Sequence, residues 1–351
     1  IQVTQTVGVG VGFRGFLAGG QQGCQSGGMT QALRICPLCE ATCGLVLTID
    51  EGVVDRVRGD DQDVFSHGFL CPKGVALAEL HADPRRLRSP LVRDESGELR
   101  EASWDEAFDV IRTRLGSTIA DHGADAVGLY LGNPNVHSLA GTFMLPAFVR
   151  ALGTMQRFSA STVDQMPKQA ASALMFGTPL SVPVPDVDRT DYFLVLGANP
   201  MVSNGSLMTA ADMPGRLRAL RKRGGRLVVV DPIRTRTADI ADEHLAIRPG
   251  SDALWLASLA HVLAPKPDFA AAGEWIPVDQ WNSLITVLAD FTPEATAAIT
   301  GIDAPTTRSI AEELRSAQRP VVYGRMGTTT SGLTLDGDVI PLATVSSWLI
   351  D

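Results

Sequence analysis

The 351-residue sequence predicts an α/β protein, with a small β-rich segment near the start followed by doubly wound α/β domains on parallel strands. Three observations carry this expectation. Short β-branched apolar runs such as YFLVL and RLVVV alternate with helix-length amphipathic segments. The runs end in turns of Gly, Asn, Asp and Pro, the composition of loops at strand ends. Ahead of them all, Cys36, Cys39 and Cys43 crowd together, just before two runs of alternating polarity.

The elements follow in order. GLVLTIDEGVVDRVRGD reads as a hairpin turning at Glu51-Gly52. KGVALAEL, after Cys71, gives a short helix and then a Pro-punctuated connection. Ser103 and Glu106 form a capping box, and Ala107, Val110, Ile111, Leu115 and Ile119 fall on one face of the helix it starts. DAVGLYLGN is a strand and SLAGTFMLPAFVRAL a helix. The same grammar then repeats. TDYFLVLGANP is a buried strand and turn, GRLRALRKRGG a helix, and RLVVVDPIRTRT the next strand and turn. SDALWLASLAHVL and TTRSIAEELRSA are helices, and RPVVYGRMG is a last strand. Open parallel sheets bind ligands beyond the C-terminal ends of their strands. The turns to inspect are therefore 132–137, 197–206, 231–237 and 324–328.

Composition narrows the function. Lys and Arg number 30 against 39 Asp and Glu, a net charge of -9, which argues against nucleic acid as a partner. The basic run Arg216, Arg218, Arg221, Lys222, Arg223 and Arg226 is spaced around Leu217 and Leu220, as on the solvated face of a helix. No apolar run is long enough to predict a membrane span. No signal segment or arginine pair is visible near the beginning, so the expected compartment is cytoplasmic. Residues 1–28 are rich in Gly and Gln without periodicity and are expected to be a disordered or non-native extension, with Met29 the natural start. DVIPLATVSSWLID opens an amphipathic helix without a C-terminal signal, so the chain is expected to be a fragment of a longer protein. Two motifs are discarded. GVGFRG at 10–15 matches a dinucleotide fingerprint but lacks its strand and acidic residue, and the sequon at Asn204 lies in a predicted ligand turn.

Cys71 supplies a fourth thiol, giving C-x2-C-x3-C-x27-C over Cys36, Cys39, Cys43 and Cys71, with Cys24 outside. Disulfides suit small secreted scaffolds. Structural zinc usually takes two close pairs, and here there is only one. A [4Fe–4S] cube takes four thiolates, and a tight group of three with one returning cysteine fits it best, with zinc the rival. Ile35, Leu38, Val46 and Phe69 would then exclude water from the cluster, or simply pack the core.

The four-cysteine spacing followed by CPKG resembles the N-terminal iron–sulfur segment of the dimethyl sulfoxide reductase family. These are molybdenum or tungsten bis-pterin oxidoreductases, formate dehydrogenases and nitrate reductases among them. The resemblance implies that Lys73 lies between cluster and pterin and helps pass electrons; taken alone, it is an exposed lysine before a helix. LGANPMVSNG, VVVDPIRTRTA and IRPGSDALW together are similar to the family's guanine-dinucleotide pterin site. They bring Gly197, Asn199, Ser203 and Asn204, then Asp231, Arg234 and Thr235, then Gly250 and Asp252. Ile233 stands where Arg is common and Ser251 where Thr is common. YGRMGTTTSG, with Gly324, resembles a later turn at the cofactor's centre. LGNPNVHS resembles the turn beside the pterin, bringing Asn133 and His137. The bland reading of each is a polar turn with a helix cap, Ser251 or Asp252 being plain N-caps.

Aligning RFSASTVDQMPKQAAS on Pro167 puts Asp164 at the family's metal-ligand position, with Ser161 the fallback. A carboxylate is a hard donor suited to a high-valent metal. Otherwise Asp164 caps a helix starting near Gln165, with Ser159 or Ser161 bonding locally. Formate-oxidising relatives carry His where Gln165 stands, and membrane-type nitrate reductases carry His where Cys36 stands, so neither subgroup fits cleanly. The implied domains are a [4Fe–4S] domain at 29–85, a first α/β segment at 86–155, a Rossmann-like pterin-dinucleotide domain at 156–328 and a return segment at 329–351. The implied cofactors are a [4Fe–4S] cluster and molybdenum (or tungsten)-bis(molybdopterin guanine dinucleotide). The implied partners are a small-molecule substrate and a redox partner protein or electron-transfer subunit. The rival is a non-catalytic subunit related to the large iron–sulfur subunit of NADH dehydrogenase, which keeps a cluster but loses the pterin turns.

Overall fold

In the computed structural model, residues 29–132, 138–264, 277–330, 333–335, 338–340 and 342–350 are described. Their contacts separate two units: the described part of Ile1–Cys36 with Cys43–Arg86, and Pro37–Thr42 with Leu87–Asp351.

The first unit is built on an antiparallel sheet of β1 (Met29–Ile35), β2 (Gly44–Asp50) and β3 (Val53–Gly59), in that spatial order. The predicted hairpin is β2–β3. Glu51 and Gly52 both take positive φ, 46° and 84°, as a two-residue turn between right-twisted strands requires. Sequence reading misses β1 because MTQALRI does not alternate in polarity. It is a largely exposed edge strand, in register from Met29 opposite Asp50 to Ile35 opposite Gly44. Two short helices follow, α1 (Pro72–Val75) and α2 (Leu77–Ala82), both packed on β3.

The second unit opens with a hairpin, β4 (Leu91–Arg93) and β5 (Leu99–Glu101). Helix α3 (Trp104–His122) starts where predicted, with the Glu106 N–H donating to Ser103 Oγ at 3.1 Å. Its apolar face is less covered than expected: no residue of α3 is buried, and Ile111 is 53% exposed. A parallel pair, β6 (Leu129–Leu131) and β7 (Arg157–Ser159), brackets α4 (Leu139–Leu152). Helices α5 (Ser161–Asp164) and α6 (Met166–Phe176) come next.

The main sheet contains β8 (Tyr192–Leu196), β9 (Arg226–Val230), β10 (Glu243–Leu245) and β11 (Pro320–Gly324). All pairs are parallel, in the order β10-β9-β8-β11. Between β8 and β9 lie α7 (Pro200–Ser203) and α8 (Met213–Lys222); between β9 and β10 lies α9 (Arg236–Ile240). Helices α10 (Asp252–Leu263), α11 (Val278–Leu288), α12 (Pro293–Thr300) and α13 (Ala304–Ser316) precede β11. The described chain closes with α14 (Met326–Thr329), the hairpin strands β12 (Leu333–Leu335) and β13 (Asp338–Ile340), and α15 (Leu342–Ile350), which packs on α6, α10 and β11.

The period of two sorts this sheet's residues. Phe193, Val195, Leu227 and Val229 meet Met213, Leu217 and Leu220 of α8 on one face. Leu194, Leu196, Val228 and Val230 meet Trp255, Leu256 and Leu259 of α10 and Ile310 of α13 on the other. With both faces covered, the strands read as unbroken apolar runs. The basic run is laced into this domain. Arg216 pairs with Asp188, Arg221 with Asp242, and Arg226 with Glu243 and Glu313, while Arg223 donates to the carbonyls of Val187 and Thr190. No helix among the described residues is long and apolar enough to cross a membrane.

Candidate cofactor sites

At the open end of the first sheet, the Cys36 N–H donates to the Cys43 carbonyl at 2.9 Å, closing the mouth between β1 and β2. Both residues are buried, while Cys39 and Cys71 are half-buried, and none of the four is in a disulfide. Three contacts fold the returning chain against this end. The Asp60 N–H donates to the Gly44 carbonyl at 3.0 Å. The Gly44 N–H donates to Ser66 Oγ at 3.1 Å, and Ser66 in turn donates from Oγ and N–H to Asp63 Oδ2 at 2.6 and 2.7 Å. These donors hold the Asp63 carboxyl below its usual range. At the third contact, a Cβ on Gly59 would sit 2.0 Å from the Gly68 carbonyl oxygen, so only glycine permits the approach. The chain then reaches Cys71, whose carbonyl accepts the Val75 N–H at 3.1 Å as α1 begins.

Sequence reading missed Asp63 and Ser66; the signal was the D-x-x-S spacing, typical of a side chain bonding forward to backbone. Val46 is buried and Phe69 half-buried, which suits a water-excluding role and plain core packing alike. Ile35 and Leu38 do not fit that expectation: they are 59% and 40% exposed, and β1, which carries Ile35, is an edge strand. Lys73 is an exposed residue of α1. Among the described residues, no group of three or more His, Cys, Asp or Glu side chains is gathered as a single metal ion needs. A four-iron cube binds each thiolate at a different iron and so asks for a wider cage.

In the second unit, the sheet grows from β8 through β9 to β10, then returns to add β11 on the other side of β8. The turns after β8 and β11 meet at this switch point. The Gly197 N–H donates to the Val230 carbonyl (2.9 Å), the Arg325 N–H to Leu196 (3.2 Å) and the Gly327 N–H to Gly197 (3.0 Å). Gly197 has φ 53°, and a Cβ there would stand 2.5 Å from the Gly327 Cα; the contact requires two glycines.

Several predicted cofactor residues hold these turns together. Asn199 Oδ1 accepts from the Thr237 hydroxyl (2.8 Å) and N–H (3.3 Å), tying the β8 turn to the β9 turn. Asn204 donates to the Ala210 carbonyl and accepts the Met213 N–H. Ser203 bonds within its own turn, and Thr235 caps α9. Asp231 is half-buried and accepts the Ile233 N–H at 3.0 Å; Arg234 is exposed beside Asp239. Gly250 turns into α10 with φ 83°. Ser251 occupies the N-cap position of α10, but its hydroxyl donates back to the Arg248 carbonyl, so it is not the plain cap of the bland reading. Asp252 is 4% exposed; burial pushes its carboxyl up to about 6, and the charge of Asp231 acts in the same direction. Gly324 makes room for α15, since a Cβ there would lie 2.2 Å from Ile350 Cδ1. Asn133 and His137 lie outside the described residues.

Asp164 is the last residue of α5 and does not cap α6, where Gln165 holds the N-cap position. The Ser159 and Ser161 hydroxyls bond to each other at 3.1 Å. Asp164 Oδ1 instead accepts from Arg325 Nη2 at 2.5 Å. Arg325 is 7% exposed, and its Nη1 is buried without a hydrogen-bond partner. Sequence reading missed it, because one arginine in a glycine-rich turn announces no partner.

Residues 33–82 match the family model described as Molybdopterin oxidoreductase Fe4S4 domain, and residues 86–268 match that of Molybdopterin oxidoreductase. The chain is 29% identical to a nitrate reductase from Symbiobacterium thermophilum, over 94% of this chain and 43% of that protein. It is 26% identical to formate dehydrogenase H from Escherichia coli, over 86% and 42%. Acetylene hydratase from Pelobacter acetylenicus is similar in structure, with a TM-score of 0.71 at 22% identity, covering 91% of this chain and 42% of that one. That likeness speaks to the fold. The chain spans less than half the length of these relatives.

Proposed function

Because the chain belongs to the molybdopterin oxidoreductase family, we propose that it is the N-terminal part of a catalytic subunit. In this reading it carries a [4Fe–4S] cluster and molybdenum (or tungsten)-bis(molybdopterin guanine dinucleotide). The observation that carries the reading is the meeting of Gly197, Gly327, Arg325 and Asp164 at the switch point of a parallel sheet. The order β10-β9-β8-β11 corresponds to strands 3-2-1-4 of a doubly wound sheet, in which the ligand crevice lies at the switch between strands 1 and 4.

The residues suit the groups. Four thiols form the donor set of a cube. Asp164 offers a hard carboxylate oxygen, and Arg325 an unpartnered N–H for an acceptor. When bound, the metal–pterin group supplies two-electron redox chemistry and the cluster a one-electron relay. The chain's part is to bind and orient. Cys36, Cys39, Cys43 and Cys71 hold the cluster, and Asp63 and Ser66 keep the returning loop in place beside Cys43. Asp231 and Asp252 accept hydroxyl or N–H donors of the dinucleotide. Gly197 and Gly327 let the β8 and β11 turns close on each other, and Asn199 keeps the β8 and β9 turns in register. Lys73 places a cation on the electron route. Substrate would be a small molecule, and a separate redox protein or subunit would exchange electrons with the cluster.

The test is elemental analysis with electron paramagnetic resonance on the full-length protein expressed anaerobically. About four irons and one molybdenum or tungsten per chain are expected. Zinc without visible charge-transfer absorption would overturn the cluster. Asp164→Ala is expected to abolish turnover while sparing the cluster signal.

A further inference from the structure

Resting on the reading of Asp164 as metal ligand, we propose that Arg325 is the positioning residue of the ligand turn: its Nη2–H holds one Asp164 oxygen so that the other faces the metal, and its Nη1–H serves an acceptor on the incoming group.

The argument begins with which partner is rigid. The Arg325 N–H is bonded to the Leu196 carbonyl of β8, and its own carbonyl accepts both the N–H and the hydroxyl of Thr328, at 2.8 and 2.7 Å. Tyr323, two residues earlier on β11, is fixed as well, since its hydroxyl donates to the Ser206 carbonyl at 2.6 Å. Arg325 is therefore clamped between sheet and helix before its side chain is considered. Asp164 belongs to a four-residue helix, with its N–H on the Ala160 carbonyl and its side chain 29% exposed. The clamped group sets the place of the looser one.

The second step concerns the form of the pair. Arginine and carboxylate often meet as a fork, with two parallel bonds. Here Nη2 reaches Oδ1, while Nη1 is buried and bonded to nothing described. A purely structural pair at this depth would be expected to use both nitrogens, because buried donors are almost always satisfied. The single bond leaves one carboxylate oxygen outside the guanidinium's grip and one donor waiting, as expected of a pair that shares its site with a third group.

The test uses the anaerobically loaded full-length protein, comparing wild type with Arg325→Met, Asp164→Asn and the exposed-pair control Arg308→Met. The readouts are metal and iron content, the paramagnetic molybdenum signal and the oxygen shell seen by X-ray absorption at the metal. Arg325→Met is expected to keep iron and the cluster signal, to reproduce the altered metal signal and oxygen shell of Asp164→Asn, and to lower kcat on the order of 100-fold. Arg308→Met is expected to match wild type. A wild-type oxygen shell in Arg325→Met, alongside an altered one in Asp164→Asn, overturns the positioning role alone. An unaltered shell in Asp164→Asn overturns the ligand reading and the inference with it. If Arg325→Met does not accumulate, Arg325→Gln is read by the same criteria.

Discussion

The sheet of β8–β11 and the stretch from β4 to α6 are written in the same grammar of short strands and amphipathic helices, yet they are packed very differently. Phe193, Leu194, Val195 and Leu196 are wholly buried. In the other region Tyr130 and Phe158 on the paired strands are 74% and 53% exposed, and Phe143 of α4 is 77% exposed. The first sheet has four strands and a helix layer on each face; the second has two strands. Amphipathic spacing states which face of an element seeks cover. It does not supply the cover, and for α3 the described residues supply only part of it: Ala107, Val110, Leu115 and Ile119 are half-buried and Ile111 is exposed.

The widest expected contrast is between Leu194→Ala and Phe143→Ala. The first should cost about 4 kcal/mol, through lost burial and the cavity left behind, and the second no more than about 0.5 kcal/mol. Urea denaturation measures both, and equal losses would mean that α4 is covered in solution.

The ion pair joining the two regions comes next. Asp164→Ala leaves the Arg325 guanidinium buried and unpaired, with an expected loss of about 3 kcal/mol. Adding Arg325→Met should recover part of it, and a merely additive double variant would show that the two side chains do not interact.

Asp252 probes the edge of the well-packed sheet. Its folded value of about 6 lies above the ordinary 3.8, so the native protein keeps the proton over a range where the unfolded chain has released it. The carboxyl's effect is therefore neutral below pH about 4 and increasingly destabilising as pH rises to about 6. Above that, Asp252→Asn should be more stable than wild type by about 3 kcal/mol. A stability difference that does not change with pH would refute the burial argument.

Smaller effects are expected where local bonds carry the structure. Ser66→Ala strips the Gly44 N–H of its acceptor and should cost about 1–2 kcal/mol. Ser103→Ala removes the cap of α3 and should cost about 1 kcal/mol. Thermal unfolding checks both, and a larger loss at Ser103 would show that α3 is more firmly held than its exposure suggests.

Features that depend on neighbouring residues were legible before any folding was considered. The Glu51-Gly52 turn, the Ser103 cap and the runs of β8 and β9 are decided by backbone conformations and bonds within a few residues, and those travel with the sequence. The cysteine spacing was legible for a related reason: few structures ask for three thiols so close together. β1 was missed because an edge strand needs no alternation, and α10 could be found because a helix of its length has room for a pattern. The Gly197–Gly327 contact, the burial of Asp252 and the Arg325–Asp164 pair arise only when strand order brings distant turns side by side. A lone arginine, glycine or aspartate reads the same whether it ends in water or against a partner 161 positions away. Burial and pairing at long range are properties of the packed sheet, because only there does losing water oblige a polar group to find its partner.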